Sequence, residues 1–311
     1  MFTYSHRREV PKTQLLSFTN HRNMTKKYTF SGHESFQCRQ LWLKKGYDYI
    51  NSGKSFNDED AVVILGVGKN MVSSIRFWMK AFNLISQDDK LTTLANKLLA
   101  DDGYDPYLED EASLWLLHYQ LVSKGHSSTY SIVFNELRRE KIEFTKDNFI
   151  AYVKRKSETG QSFPVNEKTL HEDFSVLSKM YLRSDSQNKD KEDSFSGLLT
   201  ELDLVKCFSK GKEEFFIIEN NERPEIPDEV ILYAILDDST FDLSINLNNI
   251  EQDYNSIGTV FALNRPGVLN KIESLTTKYS YLVFNDQAGI KELQFKKKPS
   301  PFSILDKYYA N

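Results

Sequence analysis

Cysteine is almost absent: Cys38 and Cys207 are the only two in 311 residues, and they are far apart. That excludes a disulfide framework and a cysteine-based zinc or iron–sulfur centre, and it suits a reducing compartment. No stretch approaches the roughly 18 apolar residues that a membrane span needs. The polar, basic N-terminus is not followed by the apolar core of a signal peptide, so a cytoplasmic location with no membrane partner is expected. Gly66, Gly68 and Lys69 suggest a phosphate loop, but the spacing is wrong and no Ser or Thr follows the lysine. Neither a nucleotide fingerprint nor a metal-ligand cluster occurs, which disfavours an enzyme of small-molecule metabolism.

The chain does have length, aromatic residues and uneven charge. Its 21 Phe, 16 Tyr and 3 Trp can fill several small cores. The formal charge is −4, yet residues 1–100 hold 15 Lys or Arg against 8 Asp or Glu, a balance of +7 that leaves −11 for the rest. A basic module on an acidic body concentrates attraction for phosphate at one end.

The periodicity predicts a mainly α fold with small β hairpins, an α+β chain of several domains. Residues 1–25 read as a flexible tail, and Met24 leaves open whether residues 1–23 belong to the native protein. Residues 26–105 read as a winged helix-turn-helix, with a first helix over Glu34 to Tyr49 and a short second one ending near Leu65. Gly66-Val67-Gly68 makes the turn. The third helix, Asn70 to Phe82, has Met71, Ile75, Trp78, Met79 and Phe82 on one apolar stripe. Its other side presents Ser73, Ser74, Arg76, Phe77 and Lys80, as expected of a helix entering a groove. Two very short strands around Ser86 to Asp89 would form a wing, with a helix through Leu94 and Leu98 behind it.

Residues 106–184 read as a helical middle domain. Its last helix, Glu167 to Tyr181, resembles a recognition helix, but it holds as many acids as bases and reads better as core. The polar stretch 185–194 reads as a linker. Residues 195–311 read as an α+β, winged-helix-like domain with a hairpin over Tyr281 to Phe295.

Some of these residues carry a family resemblance. They are Phe30-Ser31-Gly32-His33-Glu34-Ser35-Phe36, Arg39, Trp42-Leu43-Lys44-Lys45-Gly46, and Leu65-Gly66-Val67-Gly68-Lys69-Asn70-Met71-Val72 with Ile75, Arg76 and Trp78. Asp102 to Glu109 and Ser113 to His118 add to it, more weakly. Together they resemble a prokaryotic family of unknown function encoded beside DNA phosphorothioation genes, which replace a phosphate oxygen with sulfur in phage defence. The resemblance implies double-stranded DNA as a partner, together with a cysteine desulfurase, a sulfur transferase and an ATPase. It also implies similarity to the component that nicks DNA for sulfur incorporation, which would use Mg²⁺ or Mn²⁺.

The candidate residues follow from chemistry. His33 and Glu34 offer a proton shuttle and a carboxylate for water or metal, and they equally suit a helix start. Lys69, Asn70, Ser73, Ser74, Arg76 and Lys80 are the preferred DNA contacts, with Arg39, Lys44 and Lys45 beside them. Arg265, Lys296, Lys297 and Lys298 are secondary ones. Two readings stay open: a DNA-binding component that nicks, or a non-enzymatic regulator or scaffold that recruits the sulfur-transfer and ATPase partners.

Overall fold

The computed structural model describes residues 28–159, 163–183, 196–287 and 289–310. The expected tail and the stretch 185–194 lie outside them.

The first helix does not begin at Glu34. Ser31 (φ 72°), Gly32 (99°), Glu34 (50°) and Ser35 (62°) all take left-handed backbone, so 28–41 forms a loop and α1 spans Trp42–Asn51. Gly32 is needed twice over. Its φ favours glycine, and a Cβ there would meet the Phe77 ring at 2.7 Å. The same crossing explains a second departure. Phe77 lies on the side of its helix read as polar, yet it is buried, with the His33 ring 5.6 Å away edge-on.

Then come α2 (Ala61–Leu65), α3 (Lys69–Ala81) and α4 (Thr93–Leu99), with a single antiparallel bridge, Ile85↔Leu91, closing the turn between α3 and α4. Gly66 ends α2 at φ 64°. Ile75, Trp78, Met79 and Phe82 are fully buried, as their spacing requires. Thr92 Oγ1 caps α4 by accepting the Ala95 amide at 3.2 Å.

Helix α5 (Glu111–Lys124) is buried on every side from Ala112 to Val122, so it serves as the central rod rather than a surface helix. The segments α6 (Ser128–Ile132) and α7 (Arg138–Glu140) are joined through a π-helical turn at Val133–Leu137. Next are β1 (Glu143–Phe144), α8 (Lys146–Thr159) and α9 (Glu167–Tyr181), then β2 (Lys206–Lys210) and β3 (Glu213–Ile217). The three strands form one antiparallel sheet in the order β1-β3-β2, with Phe144 opposite Phe216. The hairpin that follows α9 among the described residues thus shares its sheet with β1, a strand that precedes α9.

The last part holds α10 (Asp228–Asp237), β4 (Ser244–Asn246), α11 (Leu247–Gln252), α12 (Ile257–Val260), α13 (Arg265–Lys278), β5 (Leu282–Gln287), β6 (Ile290–Phe295) and α14 (Pro301–Tyr309). Its sheet runs β4-β6-β5. Helix, strand, helices, hairpin recurs in 128–217 and 228–295 with the same strand order, consistent with winged-helix units. Asn255, at φ 65°, lies between α11 and α12 and keeps the two from running on as one helix. The periodicity passes over α14, although Pro301 at its first turn is a start signal.

Buried polar contacts tie these parts together. His118 on α5 bonds the Tyr181 hydroxyl on α9 through Nδ1 (2.7 Å) and the Val260 carbonyl on α12 through Nε2 (2.9 Å). Tyr309 stacks on Tyr104 at 4.5 Å, so α14 closes onto the residues after α4. Among the described residues no helix is long and apolar enough to cross a membrane.

Candidate nucleic-acid interface

The helix-turn-helix expected from the sequence corresponds to α2, the Gly66–Gly68 turn and α3, and its candidate surface is the junction of α2 and α3. Gly68 brings no side chain to cap α3, which leaves the first amides of a basic helix without a side-chain acceptor. Lys69, Asn70 and Ser73 are exposed there, and Lys69 makes no ion pair among the described residues. Lys45, on α1, is exposed and donates to the Leu65 carbonyl at the end of α2 at 3.3 Å.

Other expected contacts are engaged within the protein. Ser74 is fully buried with its hydroxyl unpaired, because it sits one residue before the stripe and faces the core. Arg76 binds Asp89 of the wing turn through Nε (3.1 Å) and Nη2 (2.5 Å), and it donates to Asn57 Oδ1 at 3.2 Å. Lys80 meets the same carboxylate at 3.0 Å. Partial burial works against ionising Asp89, but the bonds from Arg76 and Lys80 outweigh it and hold its carboxyl below the usual range. Lys44 is buried between Asp48 (2.6 Å) and Asp101 (2.7 Å). Arg39 is half-buried over the Trp42 ring at 5.3 Å.

The secondary candidates lie on the last unit. Arg265 pairs with Glu251 at 2.8 Å, and Lys296 donates to the Ser280 carbonyl at 2.9 Å. Lys298 lies over the Phe241 ring at 3.6 Å, where burial lowers its pKa, while Lys297 is exposed.

His33 and Glu34 part company. The His33 ring is buried, its Nε2 2.9 Å from Asp173 Oδ1 on α9, and its Nδ1 accepts the Ser35 amide at 3.2 Å. With Nδ1 accepting, the proton sits on Nε2 and is donated to Asp173. That carboxylate also accepts the Ser31 amide and the Thr129 hydroxyl, both at 2.9 Å. Both ring nitrogens are thus spent on holding the 31–35 loop against α9. Glu34 is exposed, and among the described residues no group of three or more His, Cys, Asp or Glu is placed to hold a metal.

Sequence reasoning assigned no site to the outer face of α9. Lys168, Glu172 and Lys179 are exposed there and His171 and Ser175 are half-buried, while Asp173, Phe174 and Leu177 face inward. The lysine spacing along a helix of known period was available, but the equal number of acids concealed it.

Comparison with known proteins gives a family and a fold. The model for a family described as protein of unknown function, DUF4007, matches residues 30–309. A magnesium ion-bound SspB crystal structure superposes with a TM-score of 0.81 at 28% identity, covering 91% of this chain and 88% of that one. A second SspB crystal structure gives 0.79 at 30% identity with the same coverage. No curated protein matches the chain.

Proposed function

The chain belongs to the DUF4007 family and is a relative of SspB; from that premise we propose that it is a DNA-binding component of a DNA phosphorothioation system for phage defence. It holds duplex DNA and recruits the sulfur-transfer and ATPase partners without cutting. The observation that carries this reading is the match to SspB over 91% of the chain. DNA would enter across the α2–α3 junction, with Lys69, Asn70, Ser73 and Lys45 at the phosphates. Val62, Val63 and Ile64 on α2 are exposed, Val63 by 80%, which suits a protein partner beside the DNA.

One observation favours nicking: a relative binds magnesium. The residues here fit that ion poorly, since among the described residues Glu34 belongs to no group of three or more His, Cys, Asp or Glu and His33 is spent on Asp173 and Ser35.

Supercoiled plasmid incubated with the purified protein, with and without Mg²⁺ or Mn²⁺, separates the two readings. We expect a mobility shift that disappears on deproteinisation, leaving supercoiled DNA. Metal-dependent conversion to open circles that is lost in Glu34→Gln would establish nicking instead.

A further inference from the structure

We propose that the pocket between the 31–35 loop and α9 is a phosphate-binding site, and that it takes a phosphodiester of the DNA strand. The proposal rests on the DNA-binding reading and gives it a second contact, away from α3.

Ser35, Lys168, His171, Glu172, Ser175 and Lys179 line an open pocket of about 220 Å³. Two lysines, a histidine, two serines and one carboxylate line it. A third cation stands at the rim: Lys146, at the start of α8, donates to Ser175 Oγ at 3.1 Å and makes no ion pair among the described residues. Lys168 makes none either. Glu167 is held by Lys154 at 2.5 Å through one oxygen and lies 3.9 Å from His171 Nε2 through the other, so it faces the histidine and leaves Lys168 without an ion pair among the described residues. A surface that leaves two lysines without carboxylates, in a body of net negative charge, is placed to accept an anion.

The geometry suits a polymer. Lys168 and Lys179 are 11 residues apart on α9, about 16 Å along its axis, which matches roughly five base-pair steps measured along a duplex axis. The wall opposite is preset. Ser35 is held at φ 62° by its bond to His33, which Asp173 anchors to the inner side of the same helix. Backbone held in a sparsely populated region by a buried pair is the pattern of a preorganised binding loop. The fold agrees. Helix α9 is the last α-helix before the hairpin of the middle unit, as α13 is in the last, and the sheet packs on its inner face through Phe174 and Phe216 at 4.9 Å.

The test is the Lys146→Ala/Lys168→Ala double variant, with Lys69→Ala as the comparison on the other face. Binding to a fluorescein-labelled duplex is read by anisotropy over a salt series, and thermal melts check folding. We expect affinity to fall at least roughly tenfold and the slope of log affinity against log salt to become shallower by about two. A folded double variant with wild-type affinity and slope, while Lys69→Ala loses affinity, overturns the proposal and leaves the α3 reading standing. Calorimetric titration with inorganic pyrophosphate alone separates the sources of phosphate. If the wild type binds no duplex, the DNA reading falls. Saturable pyrophosphate binding that the double variant lacks would then assign the pocket to a small phosphorylated ligand, and binding of neither would overturn it.

Discussion

His118 places an imidazole where three parts of the chain meet, and its chemistry there is set by burial. Desolvation, with the positive charges of Arg223 and Arg138 adding to it, lowers its pKa to about 3 against the pull of the Val260 carbonyl. The unfolded chain takes up that proton near pH 6.5. A folded pKa below the unfolded one gives stability that is complete above pH 6.5 and lost as pH falls toward 3, by up to about 1.4 kcal/mol per unit. Urea unfolding should therefore show about 2 kcal/mol less stability at pH 5 than at pH 7 from this group alone. His118→Gln should lower the baseline by about 1–3 kcal/mol and flatten that slope. An equal slope in both proteins would show that His118 does not set it. The sequence placed His118 on the buried side of its helix. Its partners, 63 and 142 residues away, were beyond any local pattern, and so was the Asp173 that claims His33.

Among the elements, α3 shows what periodicity resolves and what it misses. Its bounds and apolar stripe follow from the sequence within a residue or so, as do those of α9. The state of its basic face does not, because that depends on a turn. Asp89 adopts φ 59°, and its carboxylate lies against both Arg76 and Lys80. One wing carboxylate thus competes with phosphate for the two cations expected to meet DNA. Asp89→Asn should tighten duplex binding by about three- to tenfold at low salt, since charged contacts of this kind contribute on the order of 1–3 kcal/mol. It should cost only about 1 kcal/mol of stability, because the pair is partly exposed. Anisotropy and thermal melts check both. Unchanged or weaker binding would make Arg76 and Lys80 braces for the wing and confine DNA to Lys69, Asn70 and Ser73. The first helix is expected too early, at Glu34, for a related reason: left-handed Glu34 and Ser35 are sustained by His33 and Asp173, not by local preference.

At the scale of the whole molecule, composition indicated the class of fold and the uneven charge, but not how the parts interlock. The polar stretch 185–194 reads as a linker because it carries no apolar side chain to bury. The pairing of β1 with β3 across it is invisible to local pattern, since β1 is two residues long. The central claim concerns the whole chain: an overall acidic protein that binds duplex DNA through basic surfaces placed on separate units. The measurement that tests it most directly is the affinity of the intact protein for a duplex across a salt series. The account predicts binding whose log affinity falls with log salt at a slope of about −3 or steeper, as contacts to several phosphates require. Undetectable binding at low salt, or an affinity indifferent to salt, would contradict it.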